Sequence, residues 1–362
     1  MVNLSPSLTL WLRAEDRTTE RRTPLLPTGA IQLIEAGIDV VVEKSEKRIF
    51  GDALYAEAGC KMAEAGSWVK APKNAIILGL KELPETPNLL EHTHIYFAHA
   101  YKEQSGWQAK LARFQKGGGS LLDIEYMTEN NGRRVAAFGY WAGYMGAALA
   151  LLQWQDREAG RASLISEGLT PFENADTLDD LITSRAPAAG TPTALVIGAS
   201  GRCGLGAAEI LERHGVQVTK WGRRETADMN RAAILGHDIL INCAFVEGMI
   251  PPFLTPEHIN QPNRLGVISD VSCDPLSEFN PLPLYSAPTC WNKPALEIGK
   301  GVDLIAVDNL PSLLPTEASI EFATLMLPYL KTLPDWRADP VWVNCDKAYQ
   351  QACDAMTKCE VA

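Results

Sequence analysis

Lys81 and Glu82 directly follow the apolar run Ala75 to Leu80, His99 and Lys102 follow Ile95 to Ala98, and Asp123 and Glu125 close the run Leu121 to Ile124. If each run is a strand of one parallel sheet, three strand ends present a lysine, a histidine and a carboxylate pair towards one edge. Open α/β sheets bind ligands beyond the carboxyl ends of their strands. The set suits proton transfer, because carboxylates and desolvation tune lysine and histidine towards neutral pH. His92 and His94 are expected before the second of these strands and His99 at its end. At roughly 3.3 Å per residue, His94 and His99 then lie too far apart to share an ion, and no metal site is expected.

A second stretch carries a different chemistry. The apolar run Ala194 to Ile197 leads into Gly198, Gly201 and Gly204, a helical pattern follows from Gly206 to His214, and a strand runs from Val216 to Trp221. Glycines at a strand-to-helix turn let the backbone approach a pyrophosphate, which then sits on the helix N-terminus. The spacing is G-x-x-G-x-x-G rather than the commoner G-x-G-x-x-G, and a turn of this kind can also serve only helix–strand packing. Cys203 lies in the turn and Cys243 ends a later strand, just before Phe245. In the usual strand order those two strands are neighbours, so the thiols are either close together or simply two buried cysteines.

The elements that must position these residues alternate. Strands are expected at Leu8 to Arg13, Ile38 to Glu43, Ala75 to Leu80, Ile95 to Ala98, Leu121 to Ile124 and Val135 to Phe138. Helices are expected from Thr28 to Ala36, Asp52 to Ala58 and Ser105 to Lys116. A long helix from about Tyr140 to Arg157 leads to a second domain, with a further helix from Asn174 to Ser184. Later strands are expected at Asp238 to Cys243, Val267 to Val271 and Leu304 to Val307. The expected fold is α/β, with two Rossmann-like domains of parallel-rich sheets and an interdomain cleft. The first domain comprises residues 1–138 with 318–362, and the dinucleotide-binding domain residues 139–317.

Composition narrows the function classes. The 362 residues hold 44 acidic and 33 basic side chains, a net charge of −11, which argues against nucleic-acid binding. The pairs Arg21-Arg22, Arg133-Arg134 and Arg223-Arg224 stand out as candidate anion sites. The eight cysteines show no C-x-x-C pair, so neither a zinc ribbon nor a secreted disulfide framework is expected. No signal-peptide pattern opens the chain, and a cytoplasmic protein is expected. The 21 uncharged residues from Val135 to Gln155 meet the length of a membrane span. Gly139, Gly143, Gln153 and Gln155 speak instead for a helix buried inside the protein.

The pieces LRAE (12–15), TERRTPLLP (19–27), AGSWVKAP (65–72), GLKELPET (79–86), FAHAYKEQSGWQ (97–108), GRRVAAFGYWAG (132–143), IGASGRCGLGA (197–207) and DNLPSLLPTEAS (308–319) resemble the lysine-forming saccharopine dehydrogenase family. That family lies within the alanine dehydrogenase and transhydrogenase-like group. The resemblance implies oxidation of saccharopine by NAD⁺, with water, to lysine and 2-oxoglutarate: hydride transfer makes an imine, which is hydrolysed. It implies Lys81 and His99 as the acid–base residues, tuned by Glu82 and Glu125. It also implies Arg22, Gln104, Arg134 and Phe138 as substrate contacts, with arginines serving a tricarboxylate through bidentate pairing. Arg133, Gly201, Arg202, Thr226, Val307, Asp308, Asn309 and Leu310 fall on the family's cofactor contacts, and Gly198 and Gly204 of the glycine turn, with Phe245, are expected to contact the cofactor beside them. The family's paired cysteines fall on Cys203 and Cys243, which implies a disulfide.

Two positions depart from the family. Its acidic residue for the adenosine ribose is replaced after Trp221 by Gly222-Arg223-Arg224, and loss of the carboxylate with gain of two cations favours a 2′-phosphate. NAD(H) is therefore expected from the family and NADP(H) from these residues, Arg223 and Arg224 being cofactor contacts. Asn309 stands where the family commonly has histidine. Other expectations compatible with the residues are a related opine-type reductase with another amino donor or oxo acid, and a nicotinamide-dependent redox sensor working through Cys203 and Cys243.

Overall fold

A computed structural model describes residues 7–101, 106–246 and 248–361. The chain divides into two compact units, one formed by the residues up to Ala137 with those from Ala318 onward, the other by Phe138–Glu317.

The first unit is built on β1 (Thr9–Leu12), α1 (Pro27–Glu35), β2 (Asp39–Glu43), α2 (Asp52–Glu57), β3 (Lys61–Ala63), β4 (Ile76–Leu78), β5 (Thr93–Tyr96), α3 (Trp107–Gly117) and β6 (Ser120–Asp123). The six strands lie in the order β3-β2-β1-β4-β5-β6, and every pairing is parallel. Leu12 pairs with Leu78, Leu78 with Ile95, and Tyr96 with Asp123, so the carboxyl ends of β1, β4, β5 and β6 are level. Ile76, Ile77 and Leu78 are all buried, as a strand covered on both faces requires.

Three expectations change here. The edge strand β3 carries no sequence signal, being three residues long with Lys61 exposed. His94 lies within β5 rather than before it, fully buried against Trp68 and Phe114. Val135 to Phe138 form no strand. The chain reverses through Gly132 at φ +79°, Thr128 and Arg134 form a single bridge, and the ladder stops once the Val135 N–H has reached the Met127 carbonyl. Val135 and Ala136 are buried as part of a loop, which explains why the run is apolar without being a strand.

The second unit comprises α4 (Gly139–Glu158), α5 (Ala175–Ser184), β7 (Thr193–Ile197), α6 (Arg202–Arg213), β8 (Gln217–Trp221), α7 (Arg223–Ala227), α8 (Arg231–Leu235), β9 (Ile239–Asn242), α9 (Pro256–Ile259), β10 (Val267–Asp270), β11 (Ala295–Gly299) and β12 (Val302–Ile305). Its sheet runs β11-β12-β10-β9-β7-β8, parallel except for the antiparallel edge strand β11, which the sequence reading lacked. The apolar helix α4 lies directly against α6. A Cβ on Gly143 would overlap the Cys203 carbonyl, and one on Gly206 would overlap the Tyr140 carbonyl. The glycines thus let two helix backbones touch, and Met145 to Leu152 are buried in this unit's core. No helix among the described residues is long and apolar enough to cross a membrane.

The chain ends in α10 (Pro315–Leu330) and α11 (Pro340–Val361). Val341, Trp342, Cys345, Tyr349, Cys353 and Met356 recur at helical spacing on the buried side of α11, which packs on β6 and α3.

Candidate active site

The residues after β4, β5 and β6 gather as neighbours because those strands are adjacent and in register. Lys81 is partly buried, two residues beyond Gly79, and Glu82 beside it is exposed. His99 adopts a left-handed backbone (φ 48°) and its ring, half exposed, stacks on Phe97 with centroids 6.4 Å apart. His99 Nδ1 lies 3.6 Å from Glu125 Oε2, and the other carboxylate oxygen of Glu125 accepts from Arg134 at 2.6 Å. Glu125 is thus a mostly buried anion between an imidazole and a half-exposed guanidinium.

Asp123 plays a different part from the one its place in a carboxylate pair suggested. It is fully buried, and its two oxygens accept from the Glu125 N–H at 2.9 Å and the Ala98 N–H at 3.3 Å. It therefore fixes the backbone on both sides of the His99–Glu125 pair. Burial pushes its carboxyl up to about 6, against the pull of those hydrogen bonds. Lys110, on α3, donates to the Ala98 carbonyl from the other side, and burial lowers its ammonium. Lys110 was missed, although it lies three residues after Trp107 and four before Phe114, at the border of the helix's buried face.

Before the first of these strand ends lies a buried ion pair. Arg22 donates through Nε (2.8 Å) and a terminal nitrogen (2.6 Å) to the two oxygens of Glu20. Burial raises the Glu20 carboxyl, but the charge and hydrogen bonds of Arg22, joined by the charge of Lys81, bring it down to about 2. Arg133 is exposed in the turn that Gly132 makes. Gln104 and Lys102 lie outside the described residues.

In the second unit the glycine turn has the shape of an anion cradle. Gly198 sits at φ +79°, and a Cβ there would come within 2.6 Å of the Cys243 carbonyl oxygen. One on Gly204 would lie 2.7 Å from the Ala199 carbonyl carbon, whereas Gly201 and Ser200 are exposed at the N-terminus of α6. The close approaches and the exposed helix start fit a dinucleotide pyrophosphate. At the end of β8, Arg223 and Arg224 are exposed, and Glu225 accepts the Gly222 N–H at 2.8 Å. Thr226 donates its hydroxyl to the Gly222 carbonyl at 3.1 Å. Glu225 is a carboxylate at the end of this strand that sequence reading passed over, because it lies four residues beyond Trp221 instead of directly after it.

Cys203, Cys243 and Phe245 line one pocket of about 210 Å³ with Asp270, Ser272 and Phe279. The two cysteines are free thiols. Burial raises both, and in Cys243 the neighbouring Cys203 adds to the rise. Phe245 is 75% exposed. Asp270, buried at the end of β10, accepts from Asn242 at 3.0 Å and from the Tyr285 hydroxyl at 2.8 Å, a network the sequence did not suggest. Asn309 is left-handed (φ 68°) and donates to the Ser312 hydroxyl. Val307 and Leu310 are buried core side chains and Asp308 is exposed, so Val307 and Leu310 could meet a cofactor only through their main chain. Phe138 is the N-cap residue of α4. Among the described residues no group of three or more metal-ligating side chains could hold an ion.

Comparison with known proteins identifies the lineage. Residues 11–145 match the family model "Alanine dehydrogenase/PNT, N-terminal domain", and residues 223–357 the corresponding C-terminal domain. The chain is 41% identical over 361 residues to a saccharopine dehydrogenase (NAD(+), L-lysine-forming) of Emericella nidulans, covering 94% of this chain and 96% of that protein. It is 42% identical over 357 residues to a protein of the same description from Neurospora crassa, with 94% and 95% covered. The chain belongs to the saccharopine dehydrogenase family. An L-alanine dehydrogenase structure superposes with a TM-score of 0.73 over 96% of this chain and 99% of that one, at 17% identity, so this chain shares that fold.

Proposed function

We propose that this chain oxidises saccharopine with a nicotinamide dinucleotide and water to L-lysine and 2-oxoglutarate, reversibly. The reading is supported by the relatives' names and by one observation: adjacent strand ends bring Lys81, His99 and the Glu125–Arg134 pair to one edge of the first unit. A bound nicotinamide would accept the hydride that leaves the substrate's C–N carbon.

The remaining steps fall to the chain's own groups. Lys81, as a neutral amine, takes the proton from the secondary amine as the C–N bond becomes an imine. Lys81 returns that proton to the imine nitrogen. His99 takes a proton from water as its oxygen adds to the imine carbon, passes it to the nitrogen, and takes up the hydroxyl proton as the carbinolamine collapses to amine and ketone. Glu125 orients the imidazole and holds Arg134, while Arg134 and Arg22 serve the substrate's carboxylates. Gln104 and Phe138 are further substrate contacts. Gly198, Gly201, Arg202 and Gly204 serve the pyrophosphate, and Arg133, Thr226, Phe245 and the segment 307–310 the rest of the cofactor. We assign Glu82 to tuning of Lys81.

Full turnover in both Lys81→Met and His99→Gln would remove these roles. A survey of amino donors with 2-oxoglutarate separates the lysine-forming reaction from a related opine-type one. For the cofactor, we read Arg223 and Arg224 as a site that admits the 2′-phosphate of NADP(H) beside NAD(H). Cys203 and Cys243 are the pair we assign to a reversible disulfide. Diamide should take up the two electrons and two protons released as their S–S bond forms, removing two titratable thiols in the wild type and not in Cys203→Ser.

A further inference from the structure

Arg13 and Glu15, directly after β1, are 2% and 9% exposed although both carry charge. A buried charge is tolerated only when it is paired and hydrogen-bonded. The partners here are informative. Glu15 Oε1 accepts the Leu80 N–H at 2.7 Å, and Oε2 accepts the Lys81 N–H at 3.0 Å. Arg13 donates a terminal N–H to the Lys81 carbonyl, and that nitrogen lies 3.4 Å from Glu15 Oε2. Both main-chain polar groups of Lys81 are therefore taken by one side-chain ion pair.

The surroundings hold the pair in place. The other terminal nitrogen of Arg13 donates to the Ala14 carbonyl at 3.2 Å, and the guanidinium lies 5.9 Å from the ring centre of Tyr96 on β5. Gly79 makes the room: a Cβ there would lie 2.7 Å from Arg13 Cζ. The β4 strand ends at Leu78, so Lys81 has left the named strand pairings, and the ion pair takes up its backbone instead. Burial raises the Glu15 carboxyl, while Arg13 and the two backbone N–H groups oppose that rise.

We propose that Arg13 and Glu15 are positioning residues, a clasp from β1 that sets where the Lys81 amine stands for proton transfer. The proposal rests on the reading of Lys81 as the amine base. A base misplaced by about 1 Å can lose about 10²-fold in rate.

The test uses Gly79→Ala, whose methyl would displace the Arg13 guanidinium without altering a charged group, together with Glu15→Gln, Arg13→Met and Arg13→Lys in the full chain. Each is assayed with lysine, 2-oxoglutarate and NADH, with thermal unfolding and NADH fluorescence titration to show that it is folded. In parallel, acetic anhydride labelling of Lys81 is read by mass spectrometry against the exposed Lys73. Gly79→Ala and Glu15→Gln should lower kcat about 10²-fold with KM for both substrates nearly unchanged, and should alter the Lys81 labelling rate several-fold. Arg13→Lys, keeping a donor and the charge, should recover part of the loss seen in Arg13→Met. Folded variants with wild-type kcat and wild-type Lys81 labelling would reduce the clasp to a structural ion pair and overturn the proposal. Altered labelling together with full turnover in Lys81→Met would instead leave the clasp standing as a backbone device and remove Lys81 as the base.

Discussion

Glu125 approaches His99 Nδ1 to 3.6 Å with one carboxylate oxygen and gives the other to Arg134 at 2.6 Å. One anion thus holds both an imidazole and a guanidinium, the groups proposed for acid–base chemistry and for carboxylate binding. Glu125→Gln keeps the shape and removes the charge. Its kcat should fall about tenfold or more, since a positioned acid–base group contributes about 10²–10⁴-fold and this one would lose its partner. KM for 2-oxoglutarate should change as well, because Arg134 loses the same anion. Steady-state kinetics with both substrates varied would show this, and an unchanged kcat would exclude the coupling.

Asp123 should leave a signature in stability against pH. Its folded carboxyl stands near 6 against an ordinary value of 3.8, so between those values the folded state binds more protons than the unfolded one. Its contribution is fully present below about 4 and is lost as pH rises through about 6. Asp123→Asn should remove that slope, seen as a flatter urea midpoint between pH 4 and 6 than in the wild type. The carboxamide oxygen replaces only one of the two acceptors for Ala98 and Glu125, so the variant should also be less active.

Glu20 carries the opposite sign. Its folded carboxyl, near 2, lies below its ordinary 4.5, so its stabilisation is present above 4.5 and fades as pH falls towards 2. Glu20→Gln should destabilise the first unit by about 3–5 kcal/mol, because it breaks a buried, doubly hydrogen-bonded ion pair. Chemical denaturation at pH 7 measures this, and a change below about 1 kcal/mol would mean that Arg22 finds another partner.

The glycine turn separates packing from ligand contact. Gly204→Ala would drive a methyl into the main chain of Ala199, whereas a Cβ on Gly201 meets only the Gly198 carbonyl, at 3.4 Å. Gly204→Ala should therefore weaken NADH binding about tenfold or more and lower the melting temperature, while Gly201→Ala should have the smaller effect on melting. Fluorescence titration and calorimetry of both variants test the contrast.

Arg223 and Arg224 stand exposed at the end of β8. Replacing both with alanine should lower kcat/KM for NADPH about tenfold relative to NADH, the loss expected when charge-assisted contacts to a phosphate are removed. An unchanged ratio would assign the choice of cofactor to Glu225 instead.

Much of this protein is legible in residue order because strands and glycine turns are local events. Ala75 to Leu80 and Ala194 to Ile197 declare themselves by apolar run, Gly198 and Gly204 by the turn they allow, and Lys81, His99 and Glu125 by following strands. The level strand ends that make neighbours of Lys81, His99 and Glu125 come from parallel register, which no single segment encodes. The apolar segment Val135 to Phe138 misled because burial and strand formation share a composition, and only the turn at Gly132 tells them apart. The sequence by itself determined the alternating architecture and the glycine turn, and set Lys81, His99 and Glu125 directly after strands. Tertiary structure alone decided that Asp123 anchors backbone while Glu125 faces His99, and that Arg13 and Glu15 reach across from β1 to hold Lys81. Those roles depend on which buried charge finds which partner, and the partners lie tens of residues away along the chain.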